Sequence, residues 1–238
     1  MQKITTTICA SILTIAALFS FQEVYAQYEF NALVELSHTS VKDQCQTGTC
    51  WSYSTTSFLE SEAARISGHV VDLSEMATVR YTYPLKADMY IRYQGKHQFG
   101  PGSLCHDVIN AVEEWGLCPQ EVYTGLKNGA TDHNHSDMDA ALLATVQALS
   151  KKPSGKLDPS WRSTVEVVLD SYIGELPTKF EYNGRSYTPE SFRDHLGIDP
   201  DNYLSLSSFT HHPFGENFIL EVPDNFSHGE FYNIPIDD

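Results

Sequence analysis

The sequence is poor in cysteine and in basic residues. Its 238 residues include five cysteines, and 15 Lys and Arg stand against 31 Asp and Glu, which gives a formal net charge of −16. Five cysteines are too few for a fold held together by disulfides. The shortage of positive charge argues against nucleic acid as a partner and against docking on anionic membranes, because both need clustered Lys and Arg.

Long apolar runs, linkers and repeats are also scarce. After residue 21 no apolar run reaches the roughly 20 residues that a membrane-spanning helix needs, and no Gly/Ser-rich linker or internal repeat divides the chain. Hydrophobic residues nevertheless make up 41% of the sequence. That content is enough to bury a core, so a wholly disordered chain is excluded. The length suits one or two domains.

The N-terminus has the pattern of a secretory signal peptide. Lys3 precedes an apolar run over residues 4–21, and Val24-Tyr25-Ala26 supplies suitable residues for a cleavage site. This pattern predicts a signal peptide over residues 1–26 and cleavage before Gln27. The alternative, a membrane anchor, is disfavoured because the run is short. We expect an exported protein, periplasmic or extracellular, that does not contact the membrane after cleavage.

The remaining pattern predicts a helix-rich α+β protein. Apolar spacing and capping residues predict helices that begin near Cys50, Ser103, Ser136 and Asp158, and a short helix from Thr188 to Gly197. Residues 179–187 predict a hairpin that turns at Asn183-Gly184, a type I′ signal. Residues 27–48 and 198–238 are expected to be irregular. Four cysteines would remain after signal cleavage, and the sequence does not choose among their three possible pairings.

The residues with the clearest chemical pattern run from Gln44 to Trp51. Cys50 is expected in the first turn of a helix, where free N–H groups and the positive helix end favour the thiolate. Gly48 allows a substrate carbonyl to approach the backbone. The Gln44 amide and the Cys50 N–H would form an oxyanion hole, with Trp51 packed behind. A buried structural cysteine is the alternative, but the joint spacing favours a nucleophile.

This segment resembles the active-site segment of papain-like cysteine peptidases, in the variety found in the bleomycin hydrolase/aminopeptidase C branch. Leu73-Ser74-Glu75, Gly100 to Ser103 and the helix end at residues 115–119 resemble further pieces of that branch, in the same order. Stretches at residues 182–197 and 204–214 resemble its insertion. The resemblance implies a papain-like fold, with the nucleophile-bearing half over residues 27–125 and the insertion and start of the second half over 126–238.

The resemblance also implies a function and its residues. It implies a cysteine-type peptidase with aminopeptidase action on peptides, without metal or cofactor, and by analogy a homo-oligomer. Cys50 would be the nucleophile and Gln44 the oxyanion donor. The implied substrate-binding residues are Gly48, Trp51, Gly102 and Ser103. Ser103 replaces the second glycine of the cleft wall and is expected to narrow the cleft. Cys45 replaces a glycine, and would be strained if that position needs a positive φ.

The general base of the family is not recognisable in this sequence. Papain-like enzymes take a His and an Asn from a β-rich second half, the Asn in an Asn-Ser-Trp-Gly segment. No tryptophan here follows Asn-Ser, and none of the ten histidines has the expected surroundings. We expect that the β-rich half is missing, that the chain is an N-terminal fragment or truncated gene product, and that it is inactive alone. The alternative is a non-catalytic peptide-binding or scaffold protein.

One stretch could be interpreted as a metal site. His133-Asn134-His135, with Asp132 and Asp137 nearby, offers ligands for a divalent ion. It lacks both the Cys-x-x-Cys and the His-Glu-x-x-His spacing. We expect instead a solvated loop before the third predicted helix, and no metal site.

Overall fold

A computed structural model describes residues 30–151 and 158–237. The predicted signal peptide lies outside the described residues. The chain divides into two compact units, residues 1–35 and 36–238. Residues 30–35 of the first unit form no helix or strand. All of the elements below belong to the second unit.

The described residues of the second unit contain six α-helices. They are α1 (Cys50–Ser67), α2 (Glu75–Arg92), α3 (Cys105–Glu114), α4 (Ser136–Ser150), α5 (Trp161–Tyr172) and α6 (Pro189–His195), followed by a 3₁₀ turn (Pro200–Asn202). Helix α1 packs against α2 and α3, and α2 also packs against α4 and α5. The core between them consists of fully buried apolar side chains, among them Leu59, Met76, Val79, Val108, Leu142 and Leu169. Within the described residues, no helix combines the length and apolar character needed to span a membrane.

Two small sheets complete an α+β fold, as predicted. Strands β1 (Phe180–Tyr182) and β2 (Arg185–Tyr187) form an antiparallel hairpin. Strands β3 (Leu206–Ser207), β4 (Asn217–Ile219) and β5 (Glu230–Asn233) form a mixed sheet in the order β3-β5-β4, with β3 parallel and β4 antiparallel to β5. The predicted division at residues 125 and 126 stays a prediction.

Several local predictions are confirmed. Helix α1 begins at Cys50 and ends before Gly68, which has φ 73°. The hairpin turns at Asn183 and Gly184, both with positive φ, as a type I′ turn requires. The Thr188 hydroxyl accepts the Ser191 N–H at the start of α6. These features depend on capping and turn residues, whose preferences are local.

Other predictions are wrong. Helix α2 was not predicted, because Pro84 lies inside it and its buried face includes polar side chains such as Thr78 and Thr82. The tail was expected to be irregular, yet it contains the mixed sheet. Asn233 is fully buried there, and its amide donates to Phe209 O at 3.0 Å. This long-range hydrogen bond has no periodic signature in the sequence.

Two helices begin later than predicted, for the same physical reason. Asp107 Oδ2 accepts the Leu104 N–H at 3.1 Å, so α3 begins at Cys105 rather than Ser103. Asp158 Oδ1 accepts the Ser160 N–H at 2.9 Å, and α5 begins at Trp161. In each case a carboxylate caps a backbone N–H ahead of the first helical residue.

A partly buried ion cluster joins the extended segment before Cys50 to two helices. Lys42 Nζ lies 3.1 Å from Glu60 Oε1, 2.5 Å from Asp72 Oδ1 and 2.6 Å from Glu75 Oε1. The Glu60 and Glu75 side chains are 1% and 2% exposed. Burial lowers the pKa of Lys42, but hydrogen bonds to Asp72 and Glu75 outweigh it and raise that pKa above its usual value. The cluster therefore anchors residue 42 between α1 and α2.

Replacing Lys42 by methionine should destabilise the protein by about 3 kcal/mol, because Glu60 and Glu75 would be left buried without a cation. Urea unfolding of Lys42→Met would measure the loss, and Lys96→Met, which removes an exposed lysine, is the matched control. The loss should shrink in acid, since burial raises the pKa of Glu75 and its protonated form needs no cation. Equal stability of the two variants at pH 7 would contradict the prediction.

Candidate active site

The loop that precedes α1 is closed by its own side chains. Gln44 Nε2 donates to Thr47 O at 2.5 Å, and Thr47 Oγ1 donates to Gln44 O at 2.9 Å. The hydroxyls of Thr47 and Thr49 are 2.6 Å apart. Because the Thr47 hydroxyl gives its one proton to Gln44 O, the Thr49 hydroxyl must be the donor between them. The loop therefore has a defined shape before any substrate arrives.

The structure brings Cys50 and Gln44 together. Cys50 is the first residue of α1 and is exposed. Both side chains line a cavity of about 650 Å³, with Lys42, Tyr53 and Glu75 among its other residues. The N–H groups of a first helical turn lack intrahelical partners and favour an anion. A primary amide has two N–H donors. One N–H of the Gln44 amide donates to Thr47 O, so its other N–H can donate to the carbonyl of an incoming substrate.

Gly48 and Trp51 lie against a second loop, residues 100–103. Trp51 is only 6% exposed, and its indole N–H donates to Pro101 O at 3.0 Å. A Cβ atom at Gly48 would overlap the Pro101 ring, so the close approach of the two loops requires glycine there. Trp51 thus lies behind the loop, as predicted, and holds the two segments together. Its assignment as a substrate-binding residue stays a prediction.

Gly102 and Ser103 do not line the cavity that contains Cys50. Ser103 is buried, and its hydroxyl donates to Asp107 Oδ2 at 2.6 Å. The expectation that this side chain narrows the cleft is therefore wrong, because it is directed to the α3 cap. A Cβ atom at Gly102 would overlap the carboxylate of Asp224, so a residue of the tail covers that glycine. Substrate contact at either position stays a prediction.

The four cysteines of the described residues are all free, so none of the possible pairings is present. Burial raises the pKa of Cys118 to about 12, which makes that thiol inert at neutral pH. Cys50 and Cys105 are exposed. Cys45 has φ 56°, the left-handed conformation that would strain a residue with a side chain, as anticipated for a position where the family has glycine.

Glycine should suit position 45 better than the natural cysteine. Cys45→Gly should raise the free energy of unfolding by about 1 kcal/mol relative to Cys45→Ala, because only the glycine variant relieves the left-handed strain. Both variants remove the thiol, so the difference in stability between them measures the backbone strain at position 45. Thermal unfolding measures the difference, and an alanine variant as stable as the glycine one would refute the strain.

The candidate metal-binding stretch instead supports the loop that precedes α1. Gln46 N donates to His133 O at 3.0 Å, and His135 N donates to Gln46 O at 3.1 Å. The Asn134 amide donates to Gln46 Oε1 at 2.9 Å. His133 and His135 are buried, so the predicted solvated loop is wrong. Sequence reasoning also missed Lys42 and Asn134 as supports of the site, because neither lies in a motif that spacing reveals.

Neither a histidine nor a metal cluster is found near Cys50 in the described ranges. No histidine of residues 36–151 or 158–237 lines its cavity. No set of three or more His, Cys, Asp or Glu within those ranges is arranged to hold a metal ion. His135, 2% exposed, has no hydrogen-bond partner at either ring nitrogen. Burial, and to a smaller extent His133, lowers its pKa to about 4.

His135 should make the protein sensitive to acid. The unfolded state binds a proton to this ring below about pH 6.5 and the folded state only near pH 4, so stability falls by about 2–3 kcal/mol between these values. His135→Leu should remain stable at pH 7 and lose that part of the pH dependence. Urea unfolding at several pH values would show it. A slope in His135→Leu equal to that of the natural protein would assign the acid sensitivity to other groups.

Comparison with known proteins gives matches of three kinds: to a family, to a curated protein and to solved structures. Residues 27–83 match the sequence model of the papain family cysteine proteases. Aminopeptidase G of Lactobacillus delbrueckii subsp. lactis is 24% identical over 243 residues, covering 85% of this chain and 55% of its own length. A crystal structure of pepw from Lactobacillus rhamnosis HN001 (DR20) superposes with a TM-score of 0.70 at 17% identity, over 99% of this chain and 64% of that one.

These matches agree with the geometry of the site. The family match includes Cys50 and Gln44, and the structural likeness extends the papain-like fold over the helical half and the small sheets. The chain spans about half the length of the curated relative that it matches. The chain is therefore similar to the papain family cysteine proteases in sequence over residues 27–83, to an aminopeptidase over most of its length, and to pepw in fold.

Proposed function

We propose that this chain carries the nucleophile of a cysteine peptidase that acts on peptides through a thiolate. The observation that supports it most directly is the exposed Cys50 thiol at the start of α1, in one cavity with the Gln44 amide. In the proposed reaction Cys50 Sγ attacks a peptide carbonyl. The resulting oxyanion is stabilised by the free Gln44 N–H and the Cys50 backbone N–H.

A thiolate peptidase also needs a base that takes the proton and returns it to the leaving amine. Glu60 and Glu75 line the cavity, but Lys42 engages both. No described histidine lines it. We infer that the base comes from outside the described residues, and that this 238-residue chain alone hydrolyses peptides negligibly. Robust hydrolysis that disappears in Cys50→Ala would overturn this inference.

The proposed substrate is a peptide with a free amino end. Its support is the name of the relative Aminopeptidase G. Because the chain spans about half of that relative, the exopeptidase action remains a proposal for the complete site. We also propose export, on the pattern of residues 1–26, and N-terminal sequencing of the expressed protein should find Gln27 as the first residue. A homo-oligomer remains an expectation by analogy.

Alkylation tests whether Cys50 is a primed nucleophile. At pH 7 iodoacetamide should label Cys50 at least about tenfold faster than Cys105, because only Cys50 shares its cavity with the Gln44 amide, a donor that stabilises a neighbouring anion. Both thiols are exposed and each begins a helix, so Cys105 is a matched internal control. Mass spectrometry of the labelled peptides gives both rates.

The second candidate function is a non-catalytic peptide-binding or scaffold protein. It is favoured because no described histidine lines the cavity of Cys50. Under this alternative Cys50 would react no faster than Cys105, while peptides would still bind. Equal labelling rates would therefore discard the peptidase proposal and support the binder.

A further inference from the structure

A second cavity, of about 500 Å³, is formed by the segment after α1, the β1–β2 hairpin and the end of α6. We call it the hairpin cavity. Its polar and aromatic lining consists of His69, Tyr182, Asn183, Arg185, Tyr187 and His195. Among the described residues it shares no lining residue with the cavity of Cys50. The peptidase chemistry therefore leaves this cavity without a role.

The hairpin brings an arginine to the side of two histidines. Arg185 pairs with Tyr182 across the hairpin, and residues directly opposite each other have their side chains on the same face. Tyr187, two residues after Arg185, lies on that face as well. The centroid of the Tyr187 ring is 5.3 Å from that of His195, which is 5.1 Å from that of His69. Three nitrogen-bearing side chains thus meet at one cavity.

These three side chains have unused hydrogen-bond donors. The guanidinium of Arg185 and the ring nitrogens of His69 and His195 form no hydrogen bond or ion pair within residues 30–151 and 158–237. A guanidinium has five N–H donors, and an imidazole has at least one N–H in either protonation state. The hairpin cavity therefore presents a set of donors that the protein itself does not satisfy.

No negative charge of the described residues balances this set. The sequence has 31 acidic side chains against 15 basic ones, yet no described Asp or Glu lines the hairpin cavity. Asp194, next to His195, forms an ion pair with Arg193 at 2.8 Å. Glu181, next to Tyr182 in β1, lies on the other face of the hairpin because side chains alternate along a strand. The charge of Arg185 is thus left without a counter-charge.

An anion fits this lining better than a metal ion does. Imidazoles are common ligands of transition metals, but the permanent charge of Arg185 repels a cation from the same cavity. A guanidinium instead matches the paired oxygens of a carboxylate or a phosphate. The rings of Tyr182 and Tyr187 add apolar surface for the rest of the ligand. The volume lies within the range of small-molecule sites.

We propose that the hairpin cavity binds a small molecule through a carboxylate or phosphate group. Arg185 is the main contact of that group, and His69 and His195 donate further hydrogen bonds to it. The tyrosine rings favour a ligand with a flat apolar part next to the anionic group. The inference is independent of the reaction proposed for Cys50.

Calorimetric titration of the 238-residue protein with phenyl phosphate, benzoate and inorganic phosphate tests the proposal. At pH 7 and low salt, at least one of the two aromatic anions should bind at one site per chain, and more tightly than inorganic phosphate. Arg185→Gln should weaken this binding at least about tenfold, because charged hydrogen bonds to the anion are lost. His195→Gln should weaken it less, since an amide still donates. Arg162→Gln removes an arginine that is paired with Asp88, and this matched control should leave the affinity unchanged.

Either order of affinity for phenyl phosphate and benzoate supports the proposal and identifies the group that the cavity prefers. If none of the three anions binds with saturation, the proposal is overturned. It is also overturned if Arg185→Gln and Arg162→Gln weaken the binding equally, because the anion would then respond only to the net charge.

Chemical modification locates the site without a variant. Phenylglyoxal modifies arginine side chains, and both Arg185 and Arg162 are exposed. A saturating concentration of the tighter-binding aromatic anion should slow the modification of Arg185 and leave that of Arg162 unchanged. Mass spectrometry of the two peptides gives both rates. An unprotected Arg185 would place the anion elsewhere and refute the proposed site.

Discussion

The site depends on one half-buried cation, Lys42, and its three carboxylates. The segment before α1 has no secondary structure of its own, so its position must come from long-range contacts. Lys42 supplies them by joining Glu60 on α1 to Glu75 at the start of α2. Gln44 follows two residues later, and its amide therefore enters the cavity of Cys50 at a position fixed by the ion cluster. Removing the lysine from such a cluster should lower the stability of the protein by more than the ion pairs contribute to it, because the carboxylates of Glu60 and Glu75 would stay buried without a cation.

A second constraint is the shape of the loop between Lys42 and α1. The left-handed residue Cys45 turns the chain, and the reciprocal bonds of Gln44 and Thr47 close it. Gln46 then pairs with the segment around Asn134. Oxyanion stabilisation requires donors that are oriented before the reaction. Here that orientation comes from the hydroxyls of the loop itself and from the segment around Asn134. The sequence near Cys50 indicates the hydroxyls but not the pairing with the distant segment.

The sequence predicts what depends on local chemistry. The start of α1 at Cys50, its end before Gly68 and the turn at Asn183-Gly184 follow from capping and left-handed preferences. Helix α2 escapes prediction because its buried face includes Lys86, whose ammonium bonds to the main-chain carbonyls of Gly100 and Gly102, so the face lacks a clear apolar periodicity. The burial of His135 is not predicted from the sequence either, because it follows from the pairing of its main chain with Gln46, a residue far away in the sequence. Motif spacing identified Cys50 and Gln44 but not the residues that hold them.

The pairing of Gln46 with Asn134 also bears on how the protein folds. The two residues are 88 positions apart, so closing the intervening chain carries an entropic cost before the hydrogen bonds form. Helix α1 can form from nearby residues, whereas the loop that presents the thiol gains its last support only when the distant segment docks. Contacts of such long range tend to form late. Cys50 is therefore expected to acquire its final surroundings among the last steps of folding, after the helical core has already assembled.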